Sequence, residues 1–257
     1  MREISDIADL AAAHADTLCA WAAQGLAGRS RAWLSDDGRA LAVAGPALAT
    51  RDRLVVRGAS DAAAPLVREI LAEVGPTYRP LGEAALIDAL ADRIPGLARV
   101  ARFGWMDCGP PDPPAVDRGP AQWLPEADLA RVADLLAASY PASYAKPGGP
   151  GVERWAGVRG SDGRLAAVGA LAWSAPSVGF LAGVAARPAA RGQGLGRQVC
   201  RFLLAEALAR HGAAALMVDD GNHAARRLYR GLGLRYRQLG VAAISQPAAS
   251  GWLSLSS

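Results

Sequence analysis

The sequence predicts an α/β protein laid out as two tandem domains. Three observations lead there. A strand, a tight glycine turn and a helix follow one another between Phe180 and Gly212. Short apolar runs alternate with longer stretches of helical period along the whole chain. The order of elements in the first half is helix, strands, helix, strand, helix, strand, and the second half echoes it.

Composition sets the outer limits. A chain of 257 residues fits one large domain or two of ~100–150 residues. A hydrophobic share of 51% with 20% charged residues is that of a globular protein with an ample core. No apolar run reaches the ~18–20 residues a membrane span needs. Met1 to Asp6 carries acids rather than the basic-then-apolar plan of a signal peptide. Cys19, Cys108 and Cys200 have no disulfide or metal spacing. These features lead us to expect a cytoplasmic protein with no membrane contact and no metal. The net charge of +4 is carried almost wholly by arginine and favours anionic ligands. Nucleic acid is not the expected partner, because the arginines are dispersed and not interleaved with aromatics. The exception is Arg187, Arg191, Arg197 and Arg201 around the glycine turn, which suit one polyanionic small ligand.

Taken in order, residues 5–27 have helical period through Ile7, Leu10, Ala11, Leu18 and Trp21, and Gly25 and Gly28 end the segment. Arg31–Leu34 and Arg39–Ala44 are strands joined across Ser35-Asp36-Asp37-Gly38, a hairpin signal. Leu54–Arg57 is a strand. Ala62–Val74 is an amphipathic helix stopped by Gly75-Pro76. Tyr78-Arg79 is a strand, Glu83–Ala91 a helix and Ala98–Met106 an alternating strand. Gly109-Pro110-Pro111-Asp112-Pro113-Pro114 is a stiff linker. The expected division is therefore 1–108, a linker at 109–115, and 116–257.

In the second half, Ala121–Leu124 is a strand and Pro125–Ser139 a helix with Leu129, Val132, Leu135 and Leu136 on its apolar face. Tyr140–Gly151 is a long loop. Trp155–Arg159 and Leu165–Trp173 form a hairpin across Ser161-Asp162-Gly163-Arg164, and Ser177–Ala185 is the strand that feeds the glycine turn. Pro188 ends that strand because it has no N–H to donate to a ladder. The next helix buries rows Val199, Leu203, Ala207 and Cys200, Leu204, Leu208, and stops at Gly212. Leu216–Val218 is a strand, Asn222 caps the helix that carries Tyr229, Val241–Ile244 is the last strand, and 245–257 is a polar tail.

Gly192, Gly194 and Gly196 remove side chains where the chain bends, so backbone N–H groups approach a ligand closely. A strand, a glycine turn and a helix start bind phosphate, since unpaired N–H groups and the positive dipole end point at the anion. A nucleotide P-loop is excluded, because the chain's one lysine is Lys146, far from the turn. A dinucleotide fingerprint is excluded because Arg197 stands where its last glycine belongs.

What remains is Arg191-x-x-Gly194-x-Gly196 after a strand that ends in x-Pro-x-x-Arg. It resembles the pyrophosphate loop of the GNAT superfamily of acyl-CoA-dependent N-acetyltransferases. Downstream, Leu216-Met217-Val218, Asn222, Ala225, Tyr229 and Leu232-Gly233-Leu234 are similar to that family's strand, Asn-x-x-Ala-x-x-x-Tyr helix and Leu-Gly-Phe exit, with Leu234 in place of Phe. The resemblance covers roughly Gln122 to Ile244, about half the chain. It implies a mixed, mostly antiparallel sheet flanked by helices, with acetyl-CoA or another acyl-CoA as co-substrate and no metal. It further implies that N–H groups of Gly192, Gln193, Gly194, Leu195, Gly196 and Arg197, with Arg191, hold the pyrophosphate. Backbone of Val184, Ala185 and Ala186 would pair with the pantetheine amides, Asn222 and Ala225 would border the cofactor, and Tyr229 would protonate the departing thiolate. The acceptor implied is a primary amine of a small molecule or peptide, attacking directly.

The general base stays open. No Glu lies on Ser177–Ala185, and Asp219, Asp220, Glu153, Tyr140 and Tyr144 are the candidates. That gap keeps a second reading alive, an acyl-CoA-binding sensor without turnover. The first half has Gly58-Ala59-Ser60-Asp61 where the glycine turn would stand, so it reads as a degenerate copy without CoA binding. This arrangement resembles the glycine N-acyltransferase-like branch. It would cover the sheet, shape the acceptor cleft or form a homodimer.

Overall fold

The computed structural model describes residues 1–13, 15–109 and 119–245. The first half supplies β1 (Arg2–Ile4), α1 (Ile7–Ala12), α2 (Thr17–Ala23), β2 (Arg31–Leu34), β3 (Ala40–Leu48), β4 (Arg51–Gly58), α3 (Ser60–Val74), β5 (Arg79–Glu83), α4 (Ala84–Arg93) and β6 (Leu97–Cys108). The second supplies β7 (Gln122–Trp123), α5 (Leu129–Ser139), β8 (Val152–Arg159), β9 (Leu165–Ala172), β10 (Gly179–Ala186), α6 (Leu195–His211), β11 (Ala214–Val218), α7 (His223–Arg230) and β12 (Arg235–Ile244). The linker residues 110–115, the start of the second domain near Val116, and the tail from 246 lie outside the described residues.

Most elements fall where hydrophobic period and turn chemistry place them. The helix expected over 5–27 is instead two short helices. Asp6 caps α1 by accepting from Ala8 N at 2.7 Å, and Asp16 starts α2 afresh by accepting from Cys19 N at 2.9 Å. A second capping aspartate inside an apolar-periodic stretch restarts the helix rather than continuing it. Gly212 ends α6 in the left-handed region at φ +81°, with its N–H on Leu208 O.

All described strands form one sheet in the order β1-β2-β3-β4-β5-β12-β6-β11-β10-β9-β8-β7. Only β4–β5 and β10–β11 are parallel; the other neighbours are antiparallel. The order is a palindrome of two six-strand halves, except that each half gives its last strand to the other. β6 pairs with β11, β12 pairs with β5, and the two exchanged strands pair with each other from Arg235↔Asp107 to Ile244↔Leu97. Sequence reading places β6 at the end of a first domain. The fold inserts it into the second.

One face of the sheet is covered by α2 and α5, the other by α3 with α4 and by α6 with α7. The sheet curls strongly around the first face. Trp21 of α2 stacks on Phe180 of β10 at 4.9 Å and lies 5.5 Å from Trp105 of β6. Its indole Nε1 donates to Trp173 O at 2.9 Å. The two halves thus share one core on this face. Among the described residues no helix is long and apolar enough to cross a membrane.

Trp105 is fully buried at this junction. We expect Trp105→Ala to destabilise the whole chain by about 3–5 kcal/mol, read as a lower urea midpoint. A loss below about 1 kcal/mol would mean that the shared core does not bind the halves together.

Candidate active site

The end of β10 and the glycine turn build the first wall of the site. Arg187 N donates to Ala166 O at 2.8 Å, the last rung on β9. A short 3-10 turn at Pro188–Ala190 follows, closed by Ala190 N on Arg187 O at 2.9 Å. Gly192 and Gly194 then take φ +78° and +75°, a region closed to most side chains. Gly194 is the cap of α6, and the first helical bond runs from Gln198 N to Gly194 O at 3.1 Å. Among the described residues, no backbone N–H from Gly192 to Arg197 donates to a protein acceptor. A Cβ at 192, 194 or 196 would meet nothing within 4 Å, so these amides face open space. No acid stands in the first turn of the 17-residue helix behind them. Donors, dipole and open space together make an anion cradle.

The arginines around the cradle divide. Arg191 is exposed on the turn. Arg197 Nη2 donates to Gly231 O at 2.9 Å and ties the start of α6 to the end of α7. Arg187 is paired with Asp162 at 2.9 Å. The expected four-arginine cluster is therefore partly structural, since Arg187 and Arg197 are held by protein groups.

Beside the cradle the sheet opens. β10 and β11 are paired only from Gly179↔Ala214 to Leu181↔Leu216, while β10 runs on to Ala186. A bulge between Ala182 and Ala185 bends β10 away, with Gly183 at φ +62° against the Trp155 ring. Ala185 pairs with Val168, so strand alternation turns the backbone groups of Val184 and Ala186 to the open side. That edge offers a strand's N–H and C=O groups to an extended amide chain.

Tyr229 sits at the inner end of α7, buried with Val199, Cys200 and Leu232. Burial pushes its hydroxyl well above the usual tyrosine range, and the Cys200 thiol and Tyr140 push the same way. It therefore stays protonated. Asn222 Oδ1 accepts from Ala225 N at 3.1 Å, so both residues serve the cap of α7. Of the base candidates, Asp220 accepts from the Tyr236 hydroxyl and from Gln238 Nε2 at 2.7 Å, and Glu153 accepts from Ser174 N at 2.8 Å. Tyr140 is 45% exposed; burial of the rest raises its pKa, as do Tyr144 and Asp219. Tyr140 raises the pKa of Tyr229, and Asp219, the residue after β11, raises that of Tyr140.

The matching place in the first half is shut. A Cβ at Gly82 of β5 would collide with Val56 O of β4, so those strands stay together. Asp61 stands in the first turn of α3, bonded to Arg39 at 2.7 Å, where a phosphate would need a donor.

Burial pushes the Cys108 and Cys200 thiols up to about 12 and Cys19 well above its usual range. All three are buried and free. At pH 8 they stay protonated, so we expect a thiol-titrating disulfide reagent to find none in the native protein and three per chain in denaturant. A native thiol reacting within seconds would show that the Tyr229 pocket is open.

Residues 129–234 match the model of the Acetyltransferase (GNAT) family. No curated protein matches the chain. Among solved structures, a GCN5-related N-acetyltransferase from Kribbella flavida is 19% identical, with TM-score 0.58 over 96% of this chain and 99% of its own. A GNAT-family protein from Novosphingobium aromaticivorans is 25% identical, with TM-score 0.50 over 75% of this chain and 86% of its own. A GCN5-related N-acetyltransferase from Sphaerobacter thermophilus is 15% identical, with TM-score 0.50 over 83% and 79%. The Kribbella and Sphaerobacter likenesses speak for the fold, and they extend over both halves of the sheet. The family match runs from the start of α5 to Leu234, so it is the second half of this chain that is similar to GNAT-family acetyltransferases.

Proposed function

We propose that the chain transfers an acetyl group from acetyl-CoA to a primary amine, in the crevice between β10 and β11. The observation that carries this is the row of unengaged N–H groups from Gly192 to Arg197 beside that crevice. They would hold the pyrophosphate, with Arg191 above it. Val184 and Ala186 would pair with the pantetheine as a strand pairs, and a backbone N–H at the Gly183 bulge would polarise the thioester carbonyl. Asn222 and Ala225 would border the same ligand from the cap of α7. Longer acyl groups use the same backbone contacts.

An amine of pKa near ~10.4 must lose a proton before it attacks. Asp219, whose Oδ1 accepts from Gly221 N at 2.7 Å and whose charge raises the pKa of Tyr140, would take that proton, while Asp220 is held by Tyr236 and Gln238. Tyr229 holds its proton at neutral pH and would deliver it to a leaving thiolate whose conjugate acid has a pKa near ~8.5. Direct transfer is favoured over an acylated enzyme, because all three thiols are buried and protonated. The same reduced cysteines agree with a cytoplasmic setting. We read residues 1–108 and 116–257 as tandem copies of one topology, the first without a donor site.

Calorimetric titration with acetyl-CoA tests the cradle. Wild type should bind at micromolar strength, about −8 kcal/mol, and the double substitution Gly194→Asp/Gly196→Asp should abolish this. No binding of acetyl-CoA or longer acyl-CoAs by wild type would end the acyltransferase reading. Tyr229→Phe separates catalysis from sensing. We expect kcat to fall about ten- to hundredfold with the KM for acetyl-CoA nearly unchanged. Binding without CoA release, over a broad panel of amines, would favour the sensor instead.

A further inference from the structure

The tip of the β3–β4 hairpin faces the second half across a cavity of about 650 Å³. That is the size of a small-molecule site. Arg51, Asp52 and Arg79 of the first half line it, together with Pro150, Trp173 and Ile244 of the second. Ile244 stands there because β12 crosses to pair with β5.

The two arginines are placed to act on one ligand. Arg79 of β5 is the register partner of Arg53 across the parallel ladder, and Arg51 lies two residues before Arg53 on β4. Arg51 and Arg79 are thus diagonal neighbours on one face of the sheet. Long side chains at such positions reach each other, and like charges there repel. Arg51 is exposed and Arg79 half-buried. Among the described residues neither guanidinium donates to a protein acceptor or pairs with a carboxylate. An acid joins them at the hairpin tip. Asp52 Oδ1 accepts from Ala47 N at 3.0 Å, and among the described residues its Oδ2 has no donor.

The lining therefore carries two positive groups and one negative group, with no ion pair among them. A simple dianion would be repelled by Asp52, and a plain zwitterion would leave one arginine unmatched. A dicarboxylic α-amino acid balances the set. It brings a carboxylate for each guanidinium, the group whose fork fits it best, and an ammonium for Asp52. Its methylene chain would lie against Trp173, Pro150 and Ile244.

The backbone around the cavity supports a ligand site independently of charge. Ala47, Thr50 and Trp173, all lining it, hold φ +55°, +65° and +52°. Non-glycine residues are uncommon in that region, and a β-branched Thr there is an outlier. Strain of this kind clusters at ligand clamps and active sites.

We propose that this cavity binds a free dicarboxylic α-amino acid, with Arg51 and Arg79 holding its carboxylates and Asp52 its ammonium. The site stands apart from the acetyltransferase reading, since it uses no residue of the β10–β11 crevice.

The test is calorimetric titration of the full chain, without acetyl-CoA, with L-glutamate and L-aspartate. Glutarate and succinate lack the ammonium, L-glutamine and L-asparagine lack the second carboxylate, and inorganic phosphate is a simple polyanion. We expect L-glutamate or L-aspartate to bind at least about tenfold more tightly than each of these controls. Arg51→Gln and Arg79→Gln should each weaken that binding about ten- to hundredfold. Asp52→Asn keeps an acceptor for Ala47 N and should erase the preference for the amino acid over its ammonium-free analogue. Melting temperatures without ligand, expected to match wild type for all three variants, separate a lost site from a lost fold. Neither amino acid binding to wild type at millimolar concentration would overturn the proposal. So would a control that binds as tightly, or binding that survives both arginine substitutions.

Discussion

The ladder between β6 and β12 is the constraint on which the rest of the molecule depends. Had each half kept its last strand, β6 would close on β5 and β12 on β11, and neither half would need the other to complete its ladder. With the exchange, each half is completed by the other's last strand. The exchange also sets the stagger. β11 ends at Val218 opposite Gly104, while β6 extends back to Leu97 and β10 runs on to Ala186. The crevice exists because a short strand stands between two longer ones. A shift in the β6–β12 register would move its floor.

The two halves repeat a topology but not a chemistry. Each has a parallel pair joined by a helix, whose N-terminus follows the first strand of the pair. In the second half the gap is open, glycines expose the amides and no acid opposes an anion. In the first, Gly82 lets β5 approach Val56 O, and Asp61 occupies the dipole end with Arg39 as its partner. Closing one gap removes a competing donor site.

What was legible in the sequence was local. Gly192 to Arg197 and Asn222 to Tyr229 are read within one turn and one helix, where spacing alone fixes who is near whom. Most strand edges were legible for the same reason, but β12 begins at Arg235 rather than at the expected Val241. The exchange was not, because alternation in Ala98–Met106 marks a half-buried strand without naming its neighbour. Asp16 restarting a helix was misread because an apolar period continues across it. Arg187 was counted with the ligand, yet its partner Asp162 comes from the preceding hairpin. The meeting of Arg53 with Arg79 depends on a parallel register, and no pattern in either segment encodes it.

The glycines beside the open gap decide what an anion would meet there. At the glycine turn the donors are backbone amides in open solvent, backed by a helix dipole. Such a cradle accepts a large, flexible polyanion at low cost, because nothing there needs desolvating first. The exchange of β6 and β12 holds a half with an open gap and a half with a closed one on a single curled sheet.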